Sequence, residues 1–267
     1  MKYAEIIKRE GRKALITGGS SGIGKAFAEH LAKDGFRLTL VARRLEILSV
    51  VKLELEEKYS AIVDIISVDL SKTDWRYKIA LTKIEFDIII NSAGDGYPGD
   101  FGSKDLEIDK SLIQLNCSTP MELTHQALPY LKAKGGGIIF VSSTMGYIGI
   151  PMMANYSATK SYMISFGEAL YHEVKEHNVS VEVVTPGATK TPGTEKYDVN
   201  YDALPIKWME PEEVAKEALS NLGKKALVVP GWVNWLAAGM SNCILTRGTL
   251  QSMMKMYSSR IITNKEE

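Results

Sequence analysis

The feature that most limits how this chain can fold is a rhythm: short, continuously apolar, β-branched runs alternate with longer helical patterns. Ala14-Leu15-Ile16-Thr17, Leu38-Thr39-Leu40-Val41, Ile62 to Val68, Asp87-Ile88-Ile89-Ile90-Asn91, Gly137-Ile138-Ile139-Phe140-Val141, Val179 to Thr185 and Ala226 to Val229 read as strands. Continuous apolar runs mark strands buried on both faces, as in a parallel sheet. Helical stretches lie near residues 23–34, 44–59, 105–133, 154–177 and 210–221. Strands that alternate with helices build an open sheet with right-handed crossovers. The expected fold is therefore α/β, a doubly wound parallel sheet of about seven strands with helices on both faces. No composition break divides the 267 residues, so a single domain is expected over 1–267.

Composition excludes several classes. The 32 basic and 32 acidic side chains leave a formal net charge of zero, so no global field attracts nucleic acid. Cys117 and Cys243 form no disulfide framework and show no metal-ligand spacing, so no metal is expected and both read as reduced thiols. Met1 to Arg12 lacks the apolar core of a signal peptide, and no apolar run is long enough to span a bilayer. A cytoplasmic location is the expectation.

The first strand leads into Thr17-Gly18-Gly19-Ser20-Ser21-Gly22-Ile23-Gly24, which opens the first helix. Glycines let backbone approach a ligand, and a helix N-terminus offers unpaired N–H groups to a pyrophosphate. The pattern reads as a Rossmann-type dinucleotide loop, with Gly18, Ser20, Ser21, Gly22, Ile23 and Gly24 as candidate contacts, or as a Gly-rich strand–helix turn with no ligand; the spacing is Gly-x-x-x-Gly-x-Gly. The same residues match Gly-x-Ser-x-Gly, which would make Ser20 a hydrolase nucleophile. Against this, the motif sits on the very first strand. The four histidines, His30, His125, His172 and His177, all fall in helical patterns.

A dinucleotide site reads the adenosine ribose at the end of the second strand, with an acid for NAD or an arginine for the 2′-phosphate of NADP. That strand ends Val41-Ala42-Arg43-Arg44, with no carboxylate. Two guanidinium forks suit a phosphate, so NADP(H) is the expected cofactor. Asp69, ending the third strand, is placed either to cap the next helix or to touch adenine.

Tyr156 and Lys160 stand four apart, on one face of the predicted helix over 154–177. A phenol beside an ammonium is a tuned acid, because a neighbouring cation favours the phenolate. The spacing also occurs at Tyr130/Lys134 and Tyr171/Lys175, so by itself it decides nothing.

Together these residues resemble the short-chain dehydrogenase/reductase family over nearly the whole chain. Asn91-Ser92-Ala93-Gly94 is similar to the family's Asn-Asn-Ala-Gly element, with Ser92 in place of the second Asn, and assigns Asn91, Ala93 and Gly94 to the cofactor. Ser143 precedes Tyr156 by thirteen residues, as the family's catalytic Ser does; neither other Tyr/Lys pair has such a Ser. Asn116 matches the helical catalytic Asn. Pro186-Gly187-Ala188-Thr189-Lys190-Thr191 resembles the Pro-Gly-x-x-x-Thr segment, which implies cofactor contacts from Pro186, Gly187, Thr189 and Thr191.

The resemblance implies an oxidoreductase with Asn116, Ser143, Tyr156 and Lys160 as catalytic residues. Tyr156 would exchange a proton with a carbonyl oxygen while NADPH delivers hydride to carbon. Ser143 would hydrogen-bond that oxygen, Lys160 would hold the nicotinamide ribose, and Thr191 would contact the carboxamide. Pro120 has no N–H and stands four residues after Asn116, which predicts a freed Asn116 carbonyl able to hold a relay water. An NADP-binding sensor that no longer turns over is the reading from a different class.

On the substrate side, Met145 to Met153 is apolar and methionine-rich, fit either to line an adaptable pocket or to pack. Residues 192–209 read as a lid, and about 231–260 as a C-terminal helical extension that begins with Trp232 and Trp235. That extension suits a subunit interface, a lid over a lipophilic carbonyl or alcohol substrate, or a membrane surface. Family habit implies a homodimer or homotetramer built partly on the Tyr156 helix.

Overall fold

The computed structural model describes residues 1–80, 84–195, 208–231, 248–249 and 251–252. Seven strands form one sheet: β1 (Lys13–Thr17), β2 (Arg37–Ala42), β3 (Val63–Ser67), β4 (Ile88–Asn91), β5 (Gly136–Val141), β6 (Val179–Val184) and β7 (Leu227–Val228). Their order is β3-β2-β1-β4-β5-β6-β7, and every pairing is parallel. The helices are α1 (Tyr3–Ile6), α2 (Gly22–Lys33), α3 (Leu45–Tyr59), α4 (Trp75–Ala80), α5 (Leu106–Ile113), α6 (Thr119–Lys134), α7 (Ala154–Glu173), α8 (Pro192–Glu195) and α9 (Pro211–Asn221).

Burial on both faces follows from the apolar strands. In β1, Ala14 and Ile16 point into a core with α2, α3 and α9, while Leu15 points the other way. Ile88 and Ile90 of β4 join the first core, and Ile89 joins the second, with Trp75 of α4, Leu123 and Leu131 of α6, and Met163 of α7. Each strand thus glues two helix layers to one sheet, as period-two side-chain geometry requires.

The sheet order reverses between β1 and β4, which leaves a crevice at their C-terminal ends where open α/β sheets bind ligands. The opposite edge is sealed by the N-terminal segment. Arg9 pairs with Asp87 at 2.6 Å and donates to the Gly135 carbonyl at 3.0 Å, and Lys13 N–H donates to Asp87 at 2.9 Å.

Three sequence expectations need correction or limits. The stretch 105–133 is not one α-helix: Gln114–Ser118 is π-helical between α5 and α6. Pro120 cannot donate, and the wider turn just before it shifts the pairing so that Thr119 N–H donates to the Gln114 carbonyl. The expected lid over 192–209 opens with α8, and its neck is closed by Lys190 N–H to the Met209 carbonyl at 3.0 Å and Met209 N–H to the Ala188 carbonyl at 2.9 Å. Residues 196–207 lie outside the described residues. So does the C-terminal extension, Trp232 and Trp235 included, apart from Gly231 and the helical residues 248–249 and 251–252.

Candidate active site

The loop after β1 turns on Gly18, at φ +70°, whose N–H donates to the Val41 carbonyl at 2.8 Å. A Cβ on Gly18 would lie 2.9 Å from the Ala93 nitrogen, and one on Gly24 would lie 2.3 Å from the Gly18 carbonyl oxygen. Only glycine permits this packing, which leaves the α2 N-terminus open toward the crevice. Ser20 is buried, Ser21 is the N-cap residue of α2, and Ile23 lies in its first turn. Among the described residues no histidine hydrogen-bonds Ser20, and the hydrolase reading finds no base there.

Thr17 ties the loop to β4. Its hydroxyl accepts from Ser92 N–H and Ala93 N–H, each at 3.1 Å. Asn91, at the end of β4, keeps a buried amide with no hydrogen-bond partner among the described residues. Across the crevice Thr144 N–H donates to the Pro186 carbonyl at 3.1 Å, and Thr189 donates to the Gly187 carbonyl at 3.1 Å. The segment reaches the glycine loop at Thr191: a Cβ on Gly22 would sit 2.9 Å from its methyl carbon. The Thr191 hydroxyl itself pairs with Thr194.

The chemistry-bearing residues converge where β4, β5, the π turn and α7 meet. Lys160 is buried, and its ammonium donates to the Val141 carbonyl at 3.1 Å. The Lys160 Nζ lies 5.6 Å from the centroid of the half-buried Tyr156 ring. Burial draws the ammonium down to about 8, against the small opposing pull of Cys117. Cys117 is buried in turn, and burial pushes its thiol up to about 11. Ser142 donates to the Lys160 carbonyl at 2.8 Å, which brings the turn that carries Ser143 alongside α7. The Ser143 hydroxyl accepts from Met145 N–H at 3.2 Å.

Asn116 is a strut. Its Oδ1 accepts from Asp95 N–H at 3.1 Å, and its Nδ2 donates to the Asp95 carbonyl at 2.9 Å and to the Thr159 hydroxyl at 3.0 Å. Thr159 donates onward to the Tyr156 carbonyl at 2.7 Å. A Cβ on Gly94 would stand 3.3 Å from both Asn116 Oδ1 and Lys160 Nζ, so these three positions share one small volume. The decoy pairs lie elsewhere. Tyr171 is near the far end of α7, and Tyr130 feels the charges of Asp87, Glu85 and Arg9 at the opposite edge of the sheet.

With this geometry in place, the family model for short chain dehydrogenases matches residues 12–202. The chain belongs to the short-chain dehydrogenase family. It is accordingly an oxidoreductase with a nicotinamide cofactor and a small-molecule substrate. The mouse very-long-chain 3-oxoacyl-CoA reductase is 30% identical over 250 residues, which cover 90% of this chain and 77% of that protein. A solved 7β-hydroxysteroid dehydrogenase superposes with a TM-score of 0.85 at 26% identity, covering 95% of this chain and 99% of the other. A short-chain dehydrogenase from Sphingobium yanoikuyae in complex with NADPH gives 0.75 at 27% identity, over 91% and 94% of the two chains.

The residues of this dehydrogenase fit such a cofactor: the glycine cradle admits no side chain, and the Asn91 amide awaits a partner. Arg43 and Arg44 are exposed beyond β2. Asp69 does not cap α4; its carboxylate accepts Ser71 N–H at 3.0 Å and the Ser71 hydroxyl at 2.7 Å in a turn. Burial works to raise that carboxyl, yet the Ser71 bonds and the charges of Arg43 and Lys72 hold it below its ordinary value.

The methionine-rich loop divides the two readings given for it. Ile148 and Ile150 form a small buried cluster with Met145 and Met153 packed on it, so this part of the loop is core. Met152 is left-handed at φ 62°, and its carbonyl accepts Gly99 N–H at 2.9 Å. Sequence reasoning stopped at Gly94 and missed Asp95, Gly96, Tyr97 and Thr159. Only Thr159 had a signal, a hydroxyl one helical turn after Tyr156. Among the described residues no group of His, Cys, Asp and Glu is arranged to hold a metal, and no helix is long and apolar enough to cross a membrane.

Proposed function

We propose that this dehydrogenase is an NADP-dependent reductase of apolar ketones, able to run in reverse on secondary alcohols. The observation that carries the reading is the buried Lys160 ammonium beside the Tyr156 ring, 5.6 Å from its centroid. A desolvated cation acts on a phenol through a low dielectric, so the Tyr156 proton is the one made labile. Tyr156 gives that proton to the carbonyl oxygen. Ser143 accepts one backbone N–H and keeps its own proton to donate to the same oxygen as charge develops there. A reduced nicotinamide, when bound, would supply the hydride for the carbonyl carbon. Lys160 has one N–H on Val141 and others left for a ribose hydroxyl. Asn116, with its side chain engaged on Asp95 and Thr159, acts as the strut that holds Tyr156 in place.

Arg43 and Arg44, where β2 ends without a carboxylate of its own, support a 2′-phosphate and therefore NADP, as does the NADPH complex of the Sphingobium relative. A lipophilic substrate is supported by the names of the relatives, which act on long acyl chains and on steroids. A homo-oligomer is part of the same proposal, since Ile113 near the π turn and Tyr162 on α7 are exposed at 46% and 42%.

The test has two arms. Melting curves with NADPH and with NADH read cofactor binding by mass action. NADPH consumption with acetophenone, a medium-chain methyl ketone and a ketosteroid reads turnover in the wild type and in Tyr156→Phe. The expected result is a larger shift with NADPH and a loss of turnover on the order of 10²-fold or more in Tyr156→Phe, which still binds cofactor. A larger NADH shift overturns the NADP assignment. Wild-type turnover in Tyr156→Phe overturns the proton donor.

A further inference from the structure

We infer that Asp95 is a positioning residue for Tyr156: its carboxylate fixes the Asp95-Gly96-Tyr97 corner against which the Tyr156 ring is seated. The inference rests on the proposed role of Tyr156 as proton donor, and it concerns what aims that phenol.

The corner leaves β4 just beyond Gly94 and is gripped on three sides. Its backbone is held by Asn116, which takes both the N–H and the carbonyl of Asp95 at 3.1 and 2.9 Å. Its inner side is Gly96, and a Cβ there would lie 2.6 Å from Tyr156 Cδ2 and 2.9 Å from Cε2. The backbone at Gly96 therefore forms a wall in contact with the phenol ring, and any rotation of the peptide between residues 95 and 96 moves that wall. Its outer side is Tyr97, whose hydroxyl donates to Asp95 Oδ2 at 3.1 Å.

The Asp95 side chain is the piece that fixes this shape. Oδ1 accepts from Gly96 N–H at 2.9 Å, so the peptide facing Tyr156 is oriented by the residue before it. Oδ2 holds the phenol of Tyr97, and the Lys104 ammonium lies 5.2 Å from the centroid of that ring. Lys104 donates in turn to the Pro98 carbonyl at 3.0 Å, which folds the loop back on itself. The charges of Arg43 and Asp69 both act on the Tyr97 phenol, so the outer side of the corner faces the adenosine end of the crevice. Glycine at 96 has no side-chain packing to hold its peptide, and two hydrogen bonds to one carboxylate replace it.

Two variants test this, assayed with NADPH and with whichever of the three ketones the wild type reduces. Asp95→Ala removes both bonds; the expected result is a fall in kcat of roughly tenfold with the NADPH KM within about threefold, the misplacement effect expected when a proton donor loses its aim. Asp95→Asn keeps an oxygen for Gly96 N–H and recovers most of that loss. Wild-type kcat in a folded Asp95→Ala overturns the inference while leaving the reaction standing. If Asp95→Ala does not fold, Tyr97→Phe decides alone: a fall in kcat of about twofold or more at unchanged NADPH KM supports the corner, and wild-type kcat overturns it. If the wild type reduces none of the ketones, or Tyr156→Phe keeps wild-type turnover, the proposed reaction falls and this inference with it.

Discussion

Two ionisable side chains of the dehydrogenase are buried on neighbouring elements, Lys160 on α7 and Glu182 on β6, and they stand in opposite circumstances. Lys160 is 6% exposed, has a carbonyl partner, and lies at the C-terminal ends of the strands beside Tyr156. Glu182 is 0% exposed, lies within the sheet, and has no hydrogen-bond partner for either carboxylate oxygen among the described residues. Burial pushes the two groups toward neutrality from opposite directions: it lowers the lysine and raises the glutamic acid. Desolvation is thus common to both and cannot mark a site. What separates them is company, because Lys160 has a phenol, a strut and a crevice around it, whereas Glu182 is buried within the sheet with only the charges of Glu217 and Lys225 reaching it.

The sharpest way to break this contrast is Lys160→Met. Turnover is expected to fall by on the order of 10²-fold or more, because the charge acting on Tyr156 and the proposed ribose contact both vanish. Stability is expected to move the other way. The folded-state value of about 8 lies below the ordinary 10.5, so at neutral pH the native protein holds a charge that the unfolded chain would keep in water. The unfolded state binds more protons between those two values, and wild-type stability therefore rises with pH across that window. Lys160→Met should melt higher than the wild type at pH 7, less the lost bond to Val141, and the gain should shrink as pH rises past about 8. Calorimetry across pH checks it; a variant that melts lower at every pH would mean that Lys160 holds the fold together and would dissolve the contrast.

A third cation sets the scale for a charge that is not desolvated. Arg43 is exposed at the end of β2 and is free to meet a phosphate at little desolvation cost. Arg43→Ala should weaken NADPH roughly tenfold, the size of a lost charge-assisted hydrogen bond, and leave NADH nearly unchanged. The loss should narrow as salt is raised, since exposed charges are screened. Equal weakening of both cofactors would place the 2′-phosphate elsewhere.

These comparisons also explain what could be read in the sequence. All seven strands appeared as apolar runs within a residue or two of their observed ends, because burial on both faces leaves a continuous local signal. The glycine loop and the Tyr156/Lys160 pair were legible for the same reason: each is a set of spacings inside one element. Neither α1 nor α4 was seen, being four and six residues long and too short to establish a period. The π turn was read as plain helix with a proline effect, since i→i+5 pairing leaves no compositional mark. Asp95 and Gly96 were invisible because their partners are Asn116 and Tyr156, brought close only by the sheet. That Lys160 is buried could not be foreseen either, as a lysine four residues after a tyrosine is equally at home on the wet side of a helix.

The smallest expected effect belongs to Glu182, and it tests the other half of the contrast. Its register partner is Ile139 on β5, and the charges that reach it are Glu217 of α9, which repels, and Lys225 before β7, which attracts. Burial comes first and the Glu217 charge second, so the native carboxyl titrates well above its usual 4.5. The native state keeps a proton that the unfolded state has released, and stability contributed by this group therefore falls as pH rises above about 4.5. Glu182→Met replaces two unpartnered oxygens with an apolar chain of similar length. The melting temperature should rise by a few degrees, more at pH 8 than at pH 5, while kcat stays within about twofold because no reacting atom is near. A rise that is the same at both pH values would mean the carboxyl never carries the strain assigned to it. A large loss of kcat would mean that β6 reports to the crevice after all, and that a buried carboxylate without partners belongs among the site residues of this dehydrogenase.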